Sequence, residues 1–121
     1  MDGGGPGGER VPPGPGPVGE EEVQVLVRDG RFRVERIVSR GHASPPGFWY
    51  DQPEHEWVMV LAGRARLDVV EGDAAGAGEG ETIRRVEMAA GAHLVLPARR
   101  RHRVAWTDPD QETIWLAVFW P

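Results

Sequence analysis

Cysteine, lysine and asparagine are all missing from this chain. Without cysteine there is no thiol nucleophile, no thiolate metal site and no disulfide framework. Without lysine there is no Schiff base and no phosphate-loop ammonium. The 14 cationic residues are therefore all arginine, and 19 carboxylates outnumber them for a net charge of −5. A nucleic-acid surface needs positive charge in excess, so nucleic acid is not expected as the main partner. No apolar run approaches the roughly 20 residues that cross a bilayer, which excludes a membrane partner of that kind. The opening MDGGGPGGER lacks the basic start and apolar core of a signal peptide. A soluble, cytoplasmic protein is the expectation.

What is present divides the 121 residues into two parts. Residues 1–22 form a Gly/Pro-rich stretch that ends in Glu20, Glu21 and Glu22. It cannot bury enough apolar surface to offset its ordering entropy, so it is expected to be a disordered tail. Residues 23–121 read as one β domain of about 100 residues, enough for a single modest core. VQVLVR (23–28) alternates, and Asp29-Gly30 is a hairpin signal before RFRVERIVS (31–39). HEWVMVLA (55–62) and RARLDVVE (64–71) follow on either side of Gly63. GDAAGAGEGE (72–81) reads as a loop whose length the core would tolerate freely. TIRRVEM, HLVLP, RHRVAW and TIWLAVFW complete the set. No window shows a convincing 3.6-residue period with caps, so eight or so short strands predict an all-β sandwich or barrel.

Two spaced motifs narrow the choice. Glu56 precedes Gly63 by six intervening residues, Gly91 precedes Pro97 by five, and His102 lies five beyond Pro97. On predicted strands, this pair resembles the two motifs of the cupin superfamily, whose fold is a double-stranded β-helix or jelly-roll barrel. The stretches SRGHASPPGFWYDQ, EWV, RHRVAWTDP and TIWLAVFW look like those of small, single-domain bacterial cupins. The resemblance implies that Glu56 and His102 stand where metal-binding cupins place a glutamate and their last histidine. The family's two paired histidine positions fall here on Trp49 and Asp51, and its usual glycine and asparagine of the second motif are Arg99 and Trp106.

Alternation places His102, Val104 and Trp106 on one face of their strand, and Glu56 with Val58, Val60 and Ala62 on theirs. Both polar residues then point into the barrel. Asp51 is a candidate second carboxylate, and His42 in the turn before the two prolines a candidate fourth ligand. Such a mixed N/O shell suits divalent Mn, Fe, Ni or Zn and suits copper(I) poorly. His55, adjacent to Glu56, faces the other way and is excluded. The alternative is that Glu56 and His102 form a buried hydrogen-bonded pair with no metal. Trp49, Tyr50 and Trp106 are the candidate pocket residues for an unidentified small molecule, whereas Phe48 reads as a barrel cap. The arginines around His102 read as a solvated turn rather than an anion clamp. Three readings remain open: a metal-dependent enzyme, a metal-free binding module, and a structural or regulatory homodimer with Trp57 and Trp120 at its interface.

Overall fold

The computed structural model describes residues 21–72 and 81–121. Residues 1–20 of the expected tail and 73–80 of the expected loop lie outside the described residues. Eight strands follow one another: β1 (Glu22–Asp29), β2 (Phe32–Ser39), β3 (His55–Ala62), β4 (Arg64–Glu71), β5 (Thr82–Ala89), β6 (His93–Leu96), β7 (His102–Thr107) and β8 (Thr113–Trp120). No helix occurs among the described residues, and none is long and apolar enough to cross a membrane. Glu22 already belongs to β1, so order begins inside the stretch expected to be a tail.

The strands form two antiparallel sheets, one of five strands in the order β1-β2-β8-β3-β6 and one of three in the order β5-β4-β7. The reason for β8's central place is legible in TIWLAVFW. Thr113, Trp115, Ala117 and Phe119 are buried, and the alternate residues Ile114, Leu116, Val118 and Trp120 are apolar too and half-buried. A strand apolar on both faces belongs in the middle of a sheet. The inner faces of the two sheets meet in one core of Ile37, Val58, Val60, Leu67, Val69, Met88, Leu96, Trp115 and Phe119. Each such large side chain contributes roughly 1.5–3 kcal/mol when fully buried. β1 is an outer strand with Leu26 and Val27 exposed, and a bulge between Val25 and Val27 interrupts its pairing with β2.

Two connections shape the barrel. β3 passes to β4, in the other sheet, through Gly63 alone, at φ 89°. A methyl group there would lie 2.4 Å from the Glu112 carbonyl oxygen, so only glycine fits this corner. The second is the segment of residues 40–54 between β2 and β3. It runs beside β7: Ser44 N–H donates to Val104 O (2.8 Å), Tyr50 N–H to His102 O (2.7 Å), and His102 N–H to Tyr50 O (3.2 Å). It thereby covers the open edge of the three-stranded sheet, which would otherwise expose unpaired backbone groups.

Candidate metal and ligand site

His102 opens β7 and Glu56 is the second residue of β3, one in each sheet. Strand alternation turns both inward, with Val58 and Val60 after Glu56 and Val104 after His102. They meet across the barrel with His102 Nε2 3.6 Å from Glu56 Oε1, and their side chains are 3% and 1% exposed. That separation is too long for a hydrogen bond. The other ring nitrogen, His102 Nδ1, lies 3.0 Å from the Arg100 carbonyl oxygen. A carbonyl only accepts, so this contact assigns a proton to Nδ1. Nε2 is buried and has no hydrogen-bond partner.

The surroundings hold that ring in place. Arg100 N–H bonds Pro97 O at 3.0 Å, closing a turn in which Arg99 sits at φ 67°. Positive φ at the third residue is the type II pattern that favours glycine. Tyr50, bonded to the His102 backbone on both sides, stacks its ring on the imidazole at 5.3 Å, and Phe48 meets Tyr50 edge-on at 4.9 Å. Gln52 Nε2 donates to Glu56 Oε1 at 3.3 Å.

Between His102 and the core lies a small cavity, about 20 Å³ over the positions a water centre can take. That is room for one or two waters. Its walls are apolar (Ile37, Val58, Leu67, Leu96, Val104 and Trp115), and its polar lining is Glu21, Glu56 and His102. All three carry atoms able to accept a hydrogen bond or bind a cation, and no arginine among the described residues lines the space. Glu21 was invisible as a site residue in the sequence because it sits in a run of glutamates after a Gly/Pro-rich stretch. Its carboxylate accepts from Ser39 Oγ, which in turn accepts from Trp115 Nε1 at 3.1 Å.

A second buried polar group lies on β2, also unforeseen. Arg33 donates to Glu35 (2.9 Å) and to Glu54 (2.5 Å), and its guanidinium lies 4.0 Å over the Phe119 ring. Burial pulls the Arg33 pKa down, but the hydrogen bonds and charges of Glu35 and Glu54 outweigh it and the net shift is upward. Arg33 therefore stays a cation. Glu35 Oε1, fully buried, has no hydrogen-bond partner.

The other residues singled out in the sequence lie elsewhere. Asp51 is exposed and paired with Arg99 at 3.2 Å, so its carboxylate is directed to the surface turn and not to the cavity. His42 is buried, but its Nδ1 accepts from Arg40 N–H at 2.8 Å and its carbonyl from Thr107 Oγ1 at 2.6 Å. These bonds hold it in the β2–β3 connection, off the cavity wall. Among the described residues, no three His, Cys, Asp or Glu side chains gather closely enough to hold a metal ion between them. Trp106 faces outward against Arg66, 5.3 Å from ring centre to guanidinium, because the β4–β7 register shifts between Arg66 and Leu67. The shift skips Ala105, and Thr107 takes the inward place instead. Trp49 lies under Arg103 at 6.0 Å, whereas Tyr50 packs inside on His102. Arg99, Arg101 and Arg103 are each paired with carboxylates of the chain itself: Asp51, Glu81 and Asp68. His55 accepts from Ala98 N–H at 3.0 Å and packs on Trp120, on the face opposite Glu56.

Neither the family models nor the curated proteins contain a match to this sequence. Solved structures do match. A Ralstonia eutropha JMP134 protein, described as a candidate mannose-6-phosphate isomerase, is 46% identical over 90% of this chain and 89% of its own, with a TM-score of 0.68. A Cupin 2 conserved barrel domain protein from Salinispora arenicola CNS-205 is 25% identical over 84% of this chain and 76% of its own, at TM-score 0.58. Fe(II)-HppE, at 14% identity and TM-score 0.63, shares the fold over 85% of this chain and 51% of its own. Eight strands in two antiparallel sheets, two motif positions converging inside them, and this degree of likeness agree: the chain belongs to the cupin superfamily.

Proposed function

We propose that this cupin domain binds a divalent cation of the Mn, Fe, Ni or Zn class through His102 Nε2 and the Glu56 carboxylate. The observation that carries the reading is the buried His102 Nε2 without a hydrogen-bond partner, in a ring fixed by the Arg100 carbonyl and set 3.6 Å from Glu56 Oε1. A nitrogen about 2.0–2.1 Å and an oxygen about 2.0–2.2 Å from a tetrahedral zinc ion stand about 3.3–3.5 Å apart, close to the spacing here. The donor set fits as well, because imidazole nitrogen and carboxylate oxygen suit these borderline ions. Fixing the second ring nitrogen on a carbonyl is what a metal-ligating histidine requires. A cation bound there would act as a Lewis acid and acidify a bound water. The chain's own part is to present Nε2, to orient Glu56 through Gln52, and to exclude bulk water with Tyr50 and the apolar walls.

The reaction of the Ralstonia relative does not carry over readily. A hexose phosphate needs a cavity on the order of 300 Å³ and a cationic lining for its phosphate. Here the space is about 20 Å³ and its polar lining is acidic or neutral. A small occupant fits better.

Metal analysis of purified protein after dialysis, beside Glu56→Gln and His102→Ala, tests the reading. Near-stoichiometric metal in the parent and its loss in both variants is the expected result. No metal, and none taken up on titration with MnCl2, NiCl2 or ZnCl2, overturns it. Ligand-induced thermal stabilisation without metal would then favour a metal-free binding module.

The outer face of the five-stranded sheet favours a role as a homodimer alongside this. Trp57, Met59, Val95, Leu116, Val118 and Trp120 share that face, and Val95 is 52% exposed. The outer face of the three-stranded sheet carries ion pairs instead, Arg66–Glu87 and Arg85–Asp68–Arg103.

A further inference from the structure

We infer that the outer face of the three-stranded sheet carries a second binding site, for a small aromatic monocarboxylate, built from Arg64, Arg66 and Trp106. The site is independent of the cation proposed at Glu56 and His102, which lie on the inner side of the sheets. Three observations carry the inference.

First, a groove of about 250 Å³, over the positions a water centre can take, opens among β4, β5 and β7. It is far larger than the inner cavity and just below the range of drug-sized sites, which is the scale of a single ring. Strand pairing independently fixes what surrounds it. Arg64 stands opposite Ala89, and Arg66 stands opposite Glu87 on one side and Trp106 on the other.

Second, one cation at this groove is uncompensated. Arginine keeps its charge in folded proteins. Arg66 is paired with Glu87 at 2.8 Å, but Arg64 has no ion-pair partner among the described residues. Its charge does reach Asp108, whose carboxylate already accepts from Gln111 Nε2 and from the Asp110 N–H, both at 2.8 Å. Those two bonds, ahead of the charge of Arg64, hold the Asp108 carboxyl below its usual range. A single free guanidinium fork matches a single carboxylate, whereas a phosphate dianion calls for a second free cation.

Third, the register shift between Arg66 and Leu67 turns Trp106 out of the barrel and into the lining of this groove. Bulges recur where a side chain is re-aimed beside a binding site. The Arg66 guanidinium lies 5.3 Å from the Trp106 ring centre, so the two together offer a flat surface on which a planar ligand stacks. A ring on that surface and a carboxylate on Arg64 are supplied together by one molecule of the benzoate type.

The test is titration of the full chain, in EDTA, with sodium benzoate. The readout is the indole N–H resonance of Trp106, which Trp106→Phe identifies by its loss. Saturable movement is expected, with a Kd on the order of 1 mM, as ligand efficiency allows for so small a molecule. Benzyl alcohol has the ring without the charge and acetate the charge without the ring, so each should bind about 10-fold more weakly or worse. Arg64→Gln should weaken benzoate about 3–10-fold, and Arg64→Lys, which keeps the charge but loses the fork, should fall between it and the parent. Arg28→Gln makes the same charge change on β1, in the other sheet, and should bind as the parent does. Both arginines are exposed, so melting curves should match the parent's and separate a lost ligand from a damaged fold. No saturable movement in the parent, parent-like affinity in Arg64→Gln, an equal loss in Arg28→Gln, or acetate binding as tightly as benzoate overturns the inference. The proposed cation site stands in every one of these cases.

Discussion

Single residues in this protein report most clearly where their backbone is unusual. Arg99 is the one non-glycine residue among those described with positive φ, and it occupies the second motif's usual glycine position. A left-handed conformation costs an L-residue roughly 1–2 kcal/mol, whereas glycine adopts it freely at an entropic cost of roughly 0.5–1 kcal/mol. The Arg99–Asp51 pair is too exposed to contribute more than about 1 kcal/mol. Arg99→Gly is therefore expected to leave stability within about 1 kcal/mol of the parent, and Arg99→Val to lower it by about 1–3 kcal/mol. Urea unfolding midpoints check both. At this scale the sequence was informative about Glu56 and His102, since simple alternation and motif spacing put both inside the barrel. It was silent on Glu21, Arg33 and Glu35, because a buried charge looks like a surface charge until its neighbours are known. Asp51 and His42 depended on how the chain crosses residues 40–54, and no periodicity governs that stretch. There, hydrogen bonds to Arg99 and Arg40 decided the outcome.

Elements were far more legible than contacts. All eight strands lie within a residue or two of where alternation and turn chemistry place them, and β2, β3, β4 and β8 also bury an inward face. The exception is instructive. Alternation run straight through RHRVAW puts Trp106 inside, but the bulge between β4 and β7 resets the phase and turns it out onto Arg66. Nothing in that hexapeptide marks the extra residue. The β3–β4 corner, by contrast, is announced by Gly63, and its demand is severe. Gly63→Ala combines a φ of 89° with a contact of 2.4 Å to the Glu112 carbonyl. It is expected to cost about 2–5 kcal/mol, as positive-φ strain and overpacking add. Loss of a cooperative unfolding transition, or a large drop in its midpoint, would be seen by circular dichroism. A change below about 1 kcal/mol would show that the corner can open.

The molecule as a whole presents two dissimilar outer surfaces, one apolar and one laced with ion pairs. A second copy covering the first would bury Trp57, Trp120 and Val95 together. Sedimentation is expected to give a dimer mass, and Val95→Glu with Leu61→Glu, both sites now exposed, to give monomers that keep the metal affinity of the parent. A monomeric parent at micromolar concentration would refute this. The order of the five-stranded sheet has another bearing, on how the chain is made. Its middle strand is its last, so β2 and β3 touch no common partner until residues 113–120 exist. On a ribosome adding about 5–20 residues per second, the nascent chain can close its β1–β2 hairpin but cannot join its sheet. The sheet must wait until residues 113–120 have emerged, because β8 is what joins β2 to β3.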